Sequence, residues 1–252
     1  MSFLTVLCLL SMVIPASLAN IFAYPVSKKL SMRISDYIVR VLAPRLFAIL
    51  YTYKRFHFWG YEVHKNDLPE NFIVISNHQS LLDIPVFMKF LAGREMRFIA
   101  KDALGRHIPL VSEMLRTQEH CLIPRKAKPM EAMRYISDFG KRVVERKQIP
   151  ILFPEGSRTR DGNVGKFFSA GLRQLTESTG LPVVVCALDG GWKLRDFRKI
   201  MTNIKYGSYR VKILKIFDPP KSKEECNKIL EDSRILMQQQ LEYWRQLPAN
   251  KK

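Results

Sequence analysis

Phe72-Ile73-Val74-Ile75-Ser76-Asn77-His78-Gln79-Ser80-Leu81-Leu82-Asp83 passes from an unbroken apolar run into a polar turn and then into a second apolar pattern. The run Phe72–Ile75 reads as a buried strand, and Leu81–Leu91 carries apolar residues at helical spacing. His78 therefore falls in the turn leaving a strand and Asp83 in the first turn of the next helix. From there a carboxylate can fold back onto the imidazole, fix its tautomer and stabilise its charged form, as the third member of a hydrolase triad does. No G-x-S-x-G elbow occurs in the chain. A His-Asp pair without its own Ser or Cys suits a base that activates a hydroxyl on the substrate. Alone, the pair has a plainer reading as well, because an aspartate is favoured at a helix N-terminus whatever precedes it.

A second block changes the balance. Ile149-Pro150-Ile151-Leu152-Phe153 reads as another buried strand and runs into Pro154-Glu155-Gly156-Ser157-Arg158-Thr159-Arg160-Asp161-Gly162, rich in charge and glycine. Two strand ends that each deliver polar groups build a ligand crevice in an open α/β sheet. Further strands are expected near 56–63, 97–100, 121–123, 182–188 and 209–217, and helices near 81–91, 128–146, 170–178 and 223–247. The alternation predicts an α/β fold: a mixed, largely parallel sheet of about seven strands flanked by helices. Residues 55–252 are assigned to this domain and 1–54 to an N-terminal membrane-docking helical pair.

The 252 residues carry 41 basic and 23 acidic side chains, a formal net charge of +18. Such a surplus implies an anionic partner, nucleic acid or anionic lipid. Residues 1–27 contain no charge, and Phe3–Ala23 is nearly continuous apolar sequence, close to the ~20 residues that span a bilayer. Pro15 is expected to kink or break it. Ala16-Ser17-Leu18-Ala19 resembles a signal cleavage site, but no positive n-region precedes the apolar run. An uncleaved anchor, spanning or re-entrant, is the preferred reading, and Lys28 and Lys29 place its end on the cytoplasmic face. From Leu30 to Tyr53 an apolar stripe alternates with Arg33, Arg40 and Arg45, which suits an interfacial helix bent at Pro44; a core-packing helix shows the same pattern. No RNP, zinc-finger or helix-turn-helix signature supports nucleic acid. Four scattered cysteines and five histidines show no metal-ligand spacing, so no metal is expected.

NHQSLLD (Asn77–Asp83) and FPEGSRT (Phe153–Thr159) resemble, in order and spacing, the first and third motifs of the glycerolipid acyltransferases, the 1-acylglycerol-3-phosphate acyltransferase family. The similarity runs from about residue 55 to about residue 217. A second family motif maps onto Lys101, Pro109 and Arg125, with Ser112 where a glycine is usual and Pro124 where an aspartate is common. The fourth maps onto Leu181–Val185, which keeps Pro182 but has Val185 in place of a second proline.

The resemblance implies transfer of a fatty acyl group from a thioester to the sn-2 hydroxyl of lysophosphatidic acid, on the cytoplasmic face of a membrane. His78 would be the base and Asp83 its orienting partner. Backbone amides at the start of the following helix are expected to stabilise the oxyanion. Arg158 offers a planar fork for phosphate, and the resemblance places Arg125, Glu155, Gly156 and Arg158 near the acceptor phosphate, with Ser157 between them. Glu155 is expected to pair with an arginine or lysine or to bond an acceptor hydroxyl, and Gly156 to let backbone approach the ligand. Asn77 either holds its turn or touches substrate; Lys101 either adds charge to the site or is solvated. No cofactor is expected, because the thioester of acyl-CoA or acyl carrier protein brings its own activation. The rival readings are another lysophospholipid or an ornithine-type acceptor, and a non-catalytic, membrane-docked lipid-binding protein.

Overall fold

Five strands that run the same way carry the site on one edge. In a computed structural model, which describes residues 2–105, 112–194, 203–205 and 207–247, the strands are β1 His57–Tyr61, β2 Ile73–Ser76, β3 Met96–Lys101, β4 Cys121–Ile123, β5 Ile149–Leu152, β6 Val183–Asp189 and β7 Ser208–Phe217. Their order across the sheet is β1-β7-β6-β2-β5-β3-β4. β2 through β6 are mutually parallel. β7 runs antiparallel to β6, and β1 runs parallel to β7. The sheet is thus mixed and largely parallel, as expected, and each strand lies within a residue or two of its expected place. Strands β2, β5 and β6 are buried along their whole length, which is why they read as unbroken apolar runs.

Alternation along β2 feeds two cores. Phe72 and Val74 point into one, shared with Phe98, Ile151 and Val184 and covered by the N-terminal helices, by α4 (Asp83–Phe90) and by α5 (Ser112–Thr117). Ile73 and Ile75 point into the other, covered by α6 (Pro129–Glu145), α7 (Ser169–Thr179) and α8 (Lys223–Gln246). Helix α5 is too short to show a period and was not expected from the sequence. Helix α8 is capped by Ser222, whose Oγ accepts from Glu225 N at 3.1 Å while the Glu225 carboxylate accepts from Lys221 N, a close relative of the capping box.

The N-terminal segment departs from expectation in two ways. Helix α1 (Ser2–Val26) continues through Pro15 and Pro25. The stripe from 30 to 53 forms α2 (Lys28–Tyr37), a π-helical turn (Ile38–Leu42) and α3 (Ala43–Lys54), and it spends Ile38, Leu42, Phe47 and Leu50 on the sheet core. This part of the segment packs on the core that the sheet shares with α4 and α5. The π turn has a local cause. Pro44 brings no N–H to the helix, and just before it the Ala43 amide reaches back five residues to the Ile38 carbonyl. Helix α1 is inverted relative to a water-soluble helix. Phe3, Leu7, Leu10, Ile14, Leu18 and Phe22 face outward, while Thr5, Ser17 and Asn20 are buried. Asn20 bonds Ser31 and Ser35 of α2, and Ser31 reaches Thr117 of α5 at 2.9 Å.

One buried titratable group ties α5 to the sheet. His120 Nδ1 accepts the Phe98 N–H at 2.8 Å. Burial, with help from Arg97 and Arg142, pushes this imidazole down to about 3. In the unfolded chain it protonates near 6.5, so its contribution to stability is complete above that pH and is lost as the pH falls toward 3. His120→Asn, which keeps an acceptor for Phe98, is expected to flatten the pH dependence of denaturant midpoints between pH 6.5 and 4 relative to the parent.

Candidate active site

The carboxyl ends of the five parallel strands all open on one edge. β2 stands where the chain changes direction across the sheet, with β5 on one side and β6 on the other, the position at which open α/β sheets form their crevice. His78 lies two residues beyond β2, and its Nδ1 is 2.5 Å from Asp83 Oδ2. The Asp83 side chain is fully buried. Its carboxylate also accepts from Gln79 N at 2.8 Å, from Ser80 N at 3.1 and 3.2 Å, and from the Tyr209 hydroxyl. Because a carboxylate only accepts, it places the imidazole proton on Nδ1 and leaves Nε2 as the basic nitrogen. The imidazole stacks on Phe153 at 4.2 Å between centroids and keeps 20% of its side-chain surface open.

The loop after β5 is clasped onto this turn. Glu155 Oε1 accepts His78 N at 2.9 Å, Oε2 accepts Gly165 N at 3.3 Å, and Thr159 N donates to the His78 carbonyl at 2.8 Å. Burial pushes the Glu155 carboxyl up to about 7, against the pull of those two amides and of His78. Gly156 turns the loop with φ +62, a conformation that costs glycine nothing. Gly156, Ser157 and Arg158 are exposed on the edge, and the Arg158 guanidinium has no ion pair among the described residues.

Several expectations need correcting. Glu155 pairs with no arginine or lysine among the described residues; it is a strut between two loops. Asn77 is buried, donating to the Leu188 carbonyl and accepting from its amide, both at 2.8 Å. Its side-chain amide extends the β2–β6 ladder by one rung. Three of the amides leading into α4 are already used: those of Gln79 and Ser80 by Asp83, and that of Leu82 by Ser80 Oγ at 3.0 Å. These three are not free for an oxyanion. Lys101 ends β3 and Arg125 follows β4, with the Arg125 amide on Asp102 Oδ1 at 3.3 Å. Both are exposed on the same edge, but β3 is two strands from β2 and β4 is three, roughly 10 and 14 Å at the usual strand spacing. Pro109 lies outside the described residues.

Four supporting residues escaped the sequence reading. Gln79 Oε1 accepts from Gly191 N at 2.9 Å, and its Nε2 donates to Asp189 Oδ1 at 3.3 Å. Arg245, from the last turn of α8, donates to that same Asp189 oxygen at 3.0 Å and to the Gly162 carbonyl at 2.6 Å. The β6 end, the loop after β5 and the C-terminal helix are thereby tied to the residue next to His78. Tyr209 is the fourth. The one available signal was Asp189-Gly190-Gly191, a polar and glycine turn at the end of a buried strand.

The Acyltransferase family profile matches residues 60–189, the stretch that carries His78, Asp83 and the Glu155–Arg158 loop. The 1-acyl-sn-glycerol-3-phosphate acyltransferase of Limnanthes douglasii is 30% identical over 139 residues, 53% of this chain and 48% of its own length. The chloroplastic enzyme of that name from Arabidopsis thaliana is 29% identical over 182 residues, 71% of this chain and 48% of its own. The chain spans about half the length of these curated relatives. The crystal structure of the 1-acyl-sn-glycerophosphate acyltransferase PlsC from Thermotoga maritima superposes with a TM-score of 0.66 at 24% identity, over 98% of this chain and 99% of that one, and shares the fold. With a family match over more than half its length that includes the His78–Asp83 pair and the Glu155–Arg158 loop, this chain belongs to the acyltransferase family.

Proposed function

We propose that the protein transfers a fatty acyl group from a thioester, acyl-CoA or acyl carrier protein, to the sn-2 hydroxyl of 1-acylglycerol 3-phosphate, giving phosphatidic acid. The observation that carries the reading is an imidazole held at Nδ1 by a buried carboxylate, with its Nε2 left basic and, on the loop clasped to it, an arginine with no ion pair among the described residues. Nε2 takes the proton of the acceptor hydroxyl as its oxygen attacks the thioester carbonyl. The tetrahedral intermediate expels the thiolate, and the imidazolium returns the proton to sulfur. No protein nucleophile and no cofactor enters the cycle, because the acceptor supplies the oxygen and the donor its own leaving group.

Strand spacing ranks the phosphate ligands. The glycerol phosphate is attached close to the reacting hydroxyl, so Arg158, on the loop that touches His78, is the first ligand. Lys101 is the next, and Arg125 lies furthest away and meets the outer part of a ligand or a headgroup. Ser157, exposed beside Arg158, supplies a hydroxyl or amide at the same place.

The membrane is the source of the acceptor. The outward stripe of α1 is the surface that enters acyl chains. Arg33 and Arg45 line the same groove as Met12, Pro15 and Ala16, halfway along α1. An upright α1 would hold both arginines near the bilayer midplane, at a cost of several kcal/mol. We therefore place α1 along one leaflet, on the cytoplasmic side marked by Lys28 and Lys29, with the crevice facing the same surface. Thiol labelling of single-cysteine variants at positions 3 and 28 in sealed vesicles is expected to give equal accessibility from one side; labelling from opposite sides would show a span.

His78→Ala is expected to lower kcat for acyl transfer to lysophosphatidic acid by about 10²–10⁴-fold while binding of the lipid acceptor persists. Parent-like turnover would remove His78 as the base, and product from a different lysophospholipid alone would keep the chemistry and change the acceptor. Arg158→Ala is expected to raise KM for the acceptor roughly ten- to a hundredfold, as loss of a charged hydrogen bond does. Arg158→Lys should fall between, because an ammonium keeps the charge without the fork.

Glu155 gives a pH signature. Its folded value near 7 lies above its ordinary one of 4.5, so its contribution to stability is full below about pH 4.5 and is lost as the pH rises through 7. Glu155→Gln is expected to abolish that decline in denaturant midpoints between pH 4.5 and 7.5, the opposite sign to His120.

A further inference from the structure

We propose that Tyr209 is a positioning residue for the His78–Asp83 pair: its hydroxyl fixes the carboxylate oxygen that His78 does not use. The inference rests on the acyl-transfer reading for its kinetic consequence, though not for its geometry.

Tyr209 is fully buried and is the second residue of β7. Because β7 runs opposite to β6, the start of β7 lies at the carboxyl edge of the parallel strands, where His78 stands. The phenol donates to Asp83 Oδ1, 126 residues away in sequence. Its oxygen is 3.3 Å from Ser80 Oγ, which itself accepts from Leu82 N at 3.0 Å. A chain of polarised donors thus runs from the Leu82 amide through Ser80 and Tyr209 to Asp83, each bond strengthening the next. Burial and the neighbouring Asp83 charge hold the phenol well above its ordinary value, so it stays a neutral donor.

The division of labour on the carboxylate is uneven. Oδ2 accepts from His78 Nδ1, Gln79 N and Ser80 N, whereas Oδ1 has the Tyr209 hydroxyl and a share of the Ser80 amide. Asp83 has no solvent exposure, so water cannot replace a missing donor. Without the phenol, half of a buried carboxylate loses its main partner, at the cost of an unsatisfied charged acceptor. The turn after β6 is shaped for this contact. A Cβ on Gly191 would collide with the Tyr209 hydroxyl, and the Gly191 amide is held by Gln79, the residue next to His78.

Among the described residues, the charged groups around the pair are few. Asp83 and Glu155 face His78. Asp189, from the end of β6, acts on the phenol and is paired with Arg245 at 3.0 Å. A carboxylate that loses its phenol donor holds the imidazolium proton more tightly, so the acid limb of the pH–rate profile should move to higher pH.

Tyr209→Phe keeps the ring and removes the hydroxyl. In the full-length protein in lipid nanodiscs, with oleoyl-CoA and lysophosphatidic acid, kcat is expected to fall about tenfold, with both KM values within twofold of the parent and the acid limb displaced upward. Gly191→Ala, which evicts the hydroxyl, is expected to give the same loss alone and little more in the Tyr209→Phe background, the coupling of two changes that act through one atom. In substrate-free protein, the downfield Nδ1–H proton resonance of His78 should shift and broaden in Tyr209→Phe. A folded Tyr209→Phe with parent kcat and an unmoved limb, or fully additive losses with Gly191→Ala, would make Tyr209 a packing residue and overturn the proposal. If no variant or parent transfers acyl groups but the Nδ1–H resonance moves, the acyl-transfer reading fails and the positioning contact stands; an unmoved resonance overturns the contact.

Discussion

A buried carboxylate sets the terms for this structure. Asp83 is cut off from water, and an isolated ionised carboxylate in such a place is prohibitively costly unless fully hydrogen-bonded. The chain meets the requirement from three directions. The turn after β2 curls so that two of its amides point inward. His78 approaches from the crevice side, and β7 delivers a phenol from the far side of β6. Each partner then needs its own support: the Gly190-Gly191 turn makes room for the phenol, Gln79 holds that turn, and Arg245 holds Asp189 against Gln79. The network that keeps one charge stable is the same network that aims one imidazole.

The second strand end is fastened by backbone more than by side-chain charge. Glu155 spends its two oxygens on the amides of His78 and Gly165, and Thr159 returns a hydrogen bond to the His78 carbonyl. A loop clasped at both ends presents its middle residues, Gly156 to Arg158, at a fixed height above the crevice. The Glu155 carboxyl, three residues before Arg158, is turned inward onto two backbone amides, and burial favours its neutral form. The N-terminal helices add the third element. Small and polar residues bind α1 to the domain, and large apolar ones face outward from it.

Much of this was legible in the sequence, for physical reasons that differ from residue to residue. The central strands were visible because burial on both faces leaves no polar interruption. His78 and Asp83 were visible because their contact is local, across five positions of one strand-turn-helix step. Other residues were ambiguous because one residue type serves two ends. Asn77 could equally hold a turn or touch substrate, and its pairing with Leu188 depends on a strand 111 residues away. The stripe from 30 to 53 fits a membrane surface and a sheet surface alike, since both reward apolar residues at helical spacing; only the packing of Phe47 and Leu50 shows which surface took them.

The sequence by itself determined the α/β class, the positions of the strands and of the longer helices, the local His-Asp pair, the exposed Arg158 loop and the apolar N-terminus. Each of these depends on periodicity or on residues within one turn of each other, and local chain geometry makes such signals readable. Only the tertiary structure decided the strand order, the clasp of Glu155 on His78, the occupation of the α4 amides, the inversion of α1 and the arrival of Tyr209 at Asp83. Those contacts join segments whose proximity follows from the reversal of β7 and the crossing from one side of β2 to the other. No spacing along the chain encodes them, because the free energy that brings the segments together comes from the two cores as a whole.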